Sequence, residues 1–121
     1  MDSRDLGQWG ERQAERFLKR KGYNIVEKNF SCRYGEIDII AKKGGFVAFI
    51  EVKLRKNAEH GAAMEFVTQA KQRRILTTAQ MWLMKNECEL QPRFDVIEIY
   101  APRGEMTIRP DISHIENAFG M

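Results

Sequence analysis

Apolar positions recur along the chain first at helical and then at strand spacing. Over residues 4–21, Leu6, Gly10, Ala14 and Phe17 share one face, and Lys19, Arg20 and Lys21 crowd the last turn before Gly22. This pattern predicts an amphipathic helix stopped by a glycine. Residues 23–30, YNIVEKNF, read as a strand with Ile25 among polar neighbours. Residues 36–41 and 46–54 read as the two arms of a hairpin around KKGG. A second helix is predicted from an N-cap at Thr68 to about Asn86, with Ile75, Leu76, Ala79, Trp82 and Leu83 as its apolar stripe. RFDVIEIY, 93–100, reads as a further strand, with 105–109 as a second hairpin arm. Ile112, Ile115 and Phe119 suggest a short helix over 111–119. A helical crossover from 46–54 to 93–100 makes those strands parallel. The expected class is α/β, a mixed β-sheet flanked by helices. No repeat or linker divides residues 1–121, which are expected to form a single domain.

The hairpin carries charges where a core hairpin should carry none. Glu36 and Asp38 alternate with Ile37, Ile39 and Ile40, and Glu51 and Lys53 alternate with Ile50 and Val52. Closure on Lys43-Gly44-Gly45 makes Asp38 and Glu51 cross-strand neighbours, typically about 4.5 to 5.5 Å apart at Cβ, with Lys53 one pleat further. Two carboxylates at that range repel, and a low-dielectric surround makes the repulsion costly. A divalent cation between them removes the cost. Mg2+ favours one or two carboxylates with water and phosphate oxygens, and the Val52 carbonyl is near enough to join. Lys53 beside such a site is placed to orient or deprotonate a water. The alternative is a half-exposed salt-bridge cluster in which Lys53 neutralises the acids. The apolar residues on either side weigh against it, because charges on a central strand are paired for a purpose or bind metal.

Composition narrows the setting. With 43% hydrophobic and 31% charged residues the chain is ordinary for a globular domain. No apolar run approaches the length of a membrane span, and MDSRDLGQWGERQ lacks the features of a signal peptide. Two cysteines, Cys32 and Cys88, have neither metal-site spacing nor the number for a disulfide framework, so free thiols in a cytoplasmic protein are expected. The net charge of +3 permits an anionic partner without requiring one.

The residues Glu36-Ile37-Asp38 followed by Glu51-Val52-Lys53 resemble the D…(D/E)xK signature of the restriction-endonuclease-like nuclease superfamily, with Ile37 where the motif names proline. Its αβββαβ core is similar to the element order read above. The segments GQWGERQAERFLKRKGY, RYGEID, FIEVKLRK, RFDVIEI and HIENAF together resemble the small bacterial YraN-type family of that superfamily, over nearly the whole chain. The resemblance implies that Asp38 and Glu51 bind Mg2+ or Mn2+ and that Lys53 assists the attacking water. It implies DNA as the substrate, in branched or single-stranded form. It also suggests Glu11, at the edge of the first helix's apolar face, as a further ligand, with an ordinary surface acid as the alternative. Glu36 is then an auxiliary acid or an ion-pair partner. Gln69 matches a glutamine that serves the site in RecB-like nucleases, or is a solvated helix end.

Arg33, Lys42, Lys43, Arg55, Lys56, Lys71, Arg73 and Arg74 recur near the motif. Of these Arg33, Arg55, Lys71, Arg73 and Arg74 are the candidate phosphate contacts. Trp9, Trp82 and Phe66 read as core rather than as base-stacking platforms, His60 and His114 as isolated, and Asp95 as the partner of Arg93. The leading expectation is a metal-dependent DNA endonuclease, which at this size must dimerise or rebind to cut both strands of a duplex. One rival is a non-catalytic nucleic-acid-binding or adaptor protein that keeps the fold. Another is a protein-binding module using Met64, Phe66, Met81 and Met84.

Overall fold

In a computed structural model, which describes residues 3–56 and 67–120, the chain folds as α1 (Ser3–Arg20), β1 (Asn24–Cys32), β2 (Gly35–Lys43), β3 (Phe46–Arg55), α2 (Gln69–Lys85), β4 (Gln91–Tyr100) and β5 (Asp111–Phe119). His60, Met64 and Phe66 lie outside the described residues. The expected mixed sheet forms, in the order β1-β2-β3-β4-β5. All neighbours are antiparallel except β3 and β4, which run parallel from Phe46 opposite Gln91 to Arg55 opposite Tyr100. The α/β class and the αβββαβ order are those expected, and the arrangement is consistent with a restriction-endonuclease-like core. Among the described residues no helix is long and apolar enough to cross a membrane.

Local chemistry explains the element ends. α1 stops where Gly22 turns to φ +92°. There the Tyr23 N–H donates to the Leu18 carbonyl and the Gly22 N–H to the Lys19 carbonyl, both at 3.0 Å, closing the orphan carbonyls as a left-handed C-cap does. Thr68 caps α2, its hydroxyl accepting from the Lys71 N–H at 3.1 Å. β2 and β3 turn tightly through Gly44 and Gly45, with Lys43 facing Phe46 and Gly44 at φ +59°.

The sheet separates two apolar layers. On the α2 side Ile75, Ala79 and Trp82 pack with Ile40, Val47, Phe49, Phe94 and Val96. The Phe49 ring stacks on Phe94 at 5.5 Å and meets Trp82 edge-on at 5.7 Å, while Trp82 Nε1 donates to Glu27 at 3.0 Å. On the α1 side Ala14 and Leu18 pack with Ile39, Ala41, Ala48, Ile50, Ile97 and Ile99, and Trp9 and Phe17 lean on the same layer. Trp82 is therefore a core residue, as expected, and Trp9 packs half-buried against the α1 layer.

Two expectations change at the C-terminal end. Residues 104–106 form a single 3-10 turn rather than a strand, and 111–119 form β5 rather than a helix. β5 bulges opposite Asp95, where residues 116–118 fill the space between Ile115 opposite Val96 and Phe119 opposite Phe94, with Asn117 at φ +52°. Two extra residues preserve parity, so Ile115 and Phe119 both face the α2 layer, while Ile112, three residues before Ile115, faces the α1 layer by ordinary alternation. Without β5 the backbone groups along that edge of β4 have no ladder partner.

The bulge also admits a buried polar cluster. Asp95 has no exposed surface, and Arg93 grips it through Nε at 2.9 Å and Nη2 at 2.8 Å. The Asn117 N–H donates to Asp95 Oδ1 at 3.0 Å, and Arg93 also donates to the Tyr23 hydroxyl. Lys21 Nζ lies 2.8 Å from His114 Nδ1, and His114 Nε2 lies 2.7 Å from Asp95 Oδ2. An ammonium only donates, so Nδ1 accepts and Nε2–H donates to the carboxylate. The Asp95–Arg93 pair was expected; the place of His114 in it was not, because the two lie on different strands. Burial opposes the Asp95 charge, but His114, Arg93 and the Asn117 N–H outweigh it and lower its pKa. Its stabilising contribution is complete above the ordinary aspartate range and is lost as pH falls through the lowered value. Asp95→Ala should cost about 3–5 kcal/mol by removing the buried acid that Arg93, His114 and the Asn117 N–H share. Urea unfolding across pH should also show the acid-side loss of stability flattened in this variant.

Candidate functional site

Beyond Ile39 opposite Ile50 the β2–β3 ladder ends, while β3 continues beside β4 to Arg55. The two strands part, and a side chain takes the place of the missing partner backbone. Asp38 Oδ2 accepts the Val52 N–H at 2.8 Å. The N–H and carbonyl of a strand residue leave on the same edge, so the Val52 carbonyl also faces the opening. The alternation expected of β2 breaks here: Ile37 packs in the α2 layer and Ile39 in the α1 layer. Asp38 between them is turned toward β3 rather than squarely onto either face.

Glu51 lies on the α2 side of β3 and is 7% exposed. Lys71, in the first turn of α2, puts Nζ 2.5 Å from Glu51 Oε1, and Lys53 puts its own Nζ 3.5 Å from the same oxygen. Lys71 was expected to meet phosphate; α2 instead delivers it to the acid. A cleft of about 260 Å³ opens over this group, walled by Gly35, Glu36, Asp38, Glu51, Lys71, Arg74 and Ile75. Glu11, half-buried on α1, reaches the same neighbourhood through Asn29 of β1. With its amide nitrogen toward the acids, Asn29 donates to Glu11 Oε1 at 2.6 Å and to Glu36 Oε1 at 3.3 Å. Asn29 holds φ +54°, a conformation asparagine tolerates better than most residues. That tolerance was the one sequence cue to its role.

The electrostatics differ from residue to residue. Burial, then the Glu51 charge, push the Asp38 carboxyl up to about 7 against the Val52 hydrogen bond, and Glu11 and Glu36 add to the rise. Burial and the Glu36 charge likewise raise Glu11. Lys53 is lowered by burial and by the neighbouring Lys71. Burial also works against the Lys71 charge, but contact with Glu51 raises it. One lysine is thus a firmly held cation and the other a loosened proton donor.

Among the described residues no three carboxylate, imidazole or thiol side chains gather at ligand spacing. The oxygen donors at the parting are Asp38, Glu51 and the Val52 carbonyl, a set that suits Mg2+ or Mn2+ completed by water. The Asp38 charge, disfavoured by burial and by its acid neighbours, is what such a cation would relieve. The remaining candidates scatter. Gln69 is exposed at the first position of α2. Arg55 Nη1 pairs with Glu98 at 2.8 Å. Arg73 is exposed on α2, whereas exposed Arg74 stays at the wall of the cleft, and Arg33 is exposed with its guanidinium 5.1 Å over the Tyr34 ring.

Fold and cleft define a small α/β protein with carboxylates and lysines gathered where two strands of a mixed sheet part. The model of the uncharacterised protein family UPF0102 matches residues 10–99, and the chain belongs to that family. It is 40% identical over 120 residues to a UPF0102 protein of Caldicellulosiruptor saccharolyticus, covering 98% of this chain and 100% of the relative. It is 43% identical over 121 residues to one of Geotalea daltonii, covering 99% and 93%. A Hahella chejuensis UPF0102 protein is 47% identical over 94 residues, covering 77% and 76%.

Since the folded protein favours the protonated Asp38, that preference stabilises it below the ordinary aspartate pKa and fades as pH rises toward about 7. Asp38→Asn keeps an oxygen for the Val52 N–H and carries no charge. In metal-free buffer it should unfold at higher urea than the parent at pH 8 and at matching urea near pH 4.

Proposed function

We propose that this protein is a divalent-metal-dependent DNA endonuclease of the restriction-endonuclease-like superfamily, in its YraN-type branch. The observation that carries the proposal is the convergence of Asp38, the Val52 carbonyl, Glu51 and Lys53 at the parting of β2 and β3. These are the residues of the D…ExK pattern. Mg2+ or Mn2+ bound to Asp38, Glu51 and the Val52 carbonyl would supply positive charge at the scissile phosphate. Lys71 fixes the Glu51 carboxylate, so that the acid presents its free oxygen to the opening. Lys53 orients a water for in-line attack and stabilises the negative charge that develops at the phosphate. Glu11 and Glu36, bridged by Asn29, lend negative charge to the cleft and help retain a cation there. Arg73 and Arg74 on α2 meet the flanking phosphates.

The Lys71 contact at 2.5 Å favours a second reading, in which Glu51 is already neutralised and the fold serves as a non-catalytic nucleic-acid-binding or adaptor protein. Incubation with single-stranded, duplex and branched DNA separates the two. Cleavage should require Mg2+ or Mn2+ and fall about 100-fold or more in Asp38→Ala and in Lys53→Ala. Metal-independent, salt-sensitive DNA binding without cleavage would instead establish the second reading.

A further inference from the structure

A second groove of about 300 Å³ adjoins the acidic cleft, walled by Tyr34, Ala70, Arg73, Arg74 and Thr77. Arg74 belongs to both walls, and Tyr34 is followed directly by Gly35 of the cleft. The aromatic side chain is 38% exposed, an unusual setting for a large ring at the tip of a two-residue turn. Cys32 pairs with Gly35 across that turn, so Arg33 and Tyr34 project together.

The turn is fastened to α2. The Cys32 thiol lies 3.8 Å from the Thr78 hydroxyl, to which it donates, and accepts the Tyr34 N–H at 3.4 Å. Thr78 in turn donates to the Arg74 carbonyl at 2.7 Å. Gly35 makes the closeness possible, since a Cβ there would lie 3.2 Å from Thr78 Oγ1 and 3.5 Å from Arg74 Cβ. The turn is therefore held against the helix that carries Arg73, Arg74 and Lys71, with the Arg33 guanidinium 5.1 Å over one face of the Tyr34 ring. Fixed aromatic area costs little ordering on binding, and Arg33, Arg73 and Arg74 give the groove the charge that complements a phosphodiester backbone.

We infer that this groove binds single-stranded DNA next to the acidic cleft, with an unpaired base stacked on Tyr34 and flanking phosphates on Arg73 and Arg74. A paired base is not free to enter, so the groove selects single-stranded, frayed or flapped DNA over continuous duplex. The assignment rests on the nucleic-acid reading above and deepens it.

Binding in metal-free buffer tests it apart from cleavage. A fluorescently labelled single strand and a duplex of the same sequence are titrated with the parent, Tyr34→Ala, Tyr34→Phe and Arg73→Ala. A 2-aminopurine in the strand reports stacking by its quenching. The parent should prefer the single strand and quench the probe. Tyr34→Ala should weaken single-strand binding about tenfold and abolish quenching, since one stacked base is worth that much, and Tyr34→Phe should restore both. Arg73→Ala should weaken single-strand binding and flatten its salt dependence while leaving the quenching of bound probe in place. Thermal melting confirms that each variant is folded. Equal affinity of the parent for both forms, or unchanged single-strand binding and quenching in Tyr34→Ala, overturns the inference even if the protein cuts DNA. Tyr34-dependent binding without cleavage under Mg2+ or Mn2+ upholds it and removes the endonuclease.

Discussion

The hydrogen bond from the Val52 N–H to Asp38 is the interaction on which the cleft depends. A sheet that continued its ladder past Ile39 and Ile50 would occupy that N–H with backbone and close the opening. Substituting a carboxylate lets β3 stay in the sheet through β4 while β2 turns away toward β1 and its tight turn. The same substitution brings an acid to the edge of Glu51, where α2 delivers Lys71. One bond therefore terminates a ladder, opens a cleft and fixes the first of its charged groups. A buried carboxylate near other acids is a poor acceptor to choose for stability alone, which is why its presence at this point argues for a use.

The rest of the fold makes that arrangement tolerable. Ile50 and Asp95 are opposite one another across β3 and β4, and one step along lie Glu51 and Val96. Side chains alternate, so Glu51 faces α2 while Asp95 faces the α1 layer. Asp95 is satisfied by Arg93, His114 and the Asn117 backbone, fastening β4 to the bulged β5 and, through Lys21 and Tyr23, to the end of α1. Two acids on the strands that flank β3 thus have opposite conditions. Asp95 is lowered by complete partnering, whereas Asp38 is raised by burial and by other acids. The first is a structural clamp, and the second is left with charge to share.

Which features could be read from the chain follows from how local they are. Helices α1 and α2 announce themselves by period and caps, with Gly22 and Thr68 at their ends. The hairpin turn at Gly44 and Gly45 determines register, and register alone brings Asp38 and Glu51 together. What stayed hidden depends on breaks in periodicity. Ile112, Ile115 and Phe119 stand at helical spacing, yet β5 divides them between the two faces of the sheet. The twist at Asp38 turns that side chain toward a neighbouring strand, which period-two reasoning cannot represent. Lys71, Asn29, Tyr34 and His114 acquire their roles from other elements, Lys71 across 20 residues of chain and His114 across 93. Spacing within one segment carries no trace of such partners.

The charges around the cleft make a further point about what it can hold. With every group ionised, Glu11, Asp38 and Glu51 in and beside it face Lys53 and Lys71, leaving one negative charge in excess among these five. At the rim, exposed Glu36 and Arg74 cancel. Burial resists that excess, and the raised pKa of Asp38 is its expression. A bound divalent cation would turn one negative charge into one positive, which a single phosphodiester then neutralises. A monovalent cation would leave nothing to attract the phosphate, and a third lysine would do no better. If the proposed metal binds, three acids with two lysines would suit a divalent ion and one phosphate taken together. Loss of Lys71 would leave the cleft negative overall but short of cation on Glu51, so that the acid bound the metal more strongly and the phosphate less. That opposition separates a working site from a mere salt-bridge cluster, in which losing either lysine would only weaken the fold.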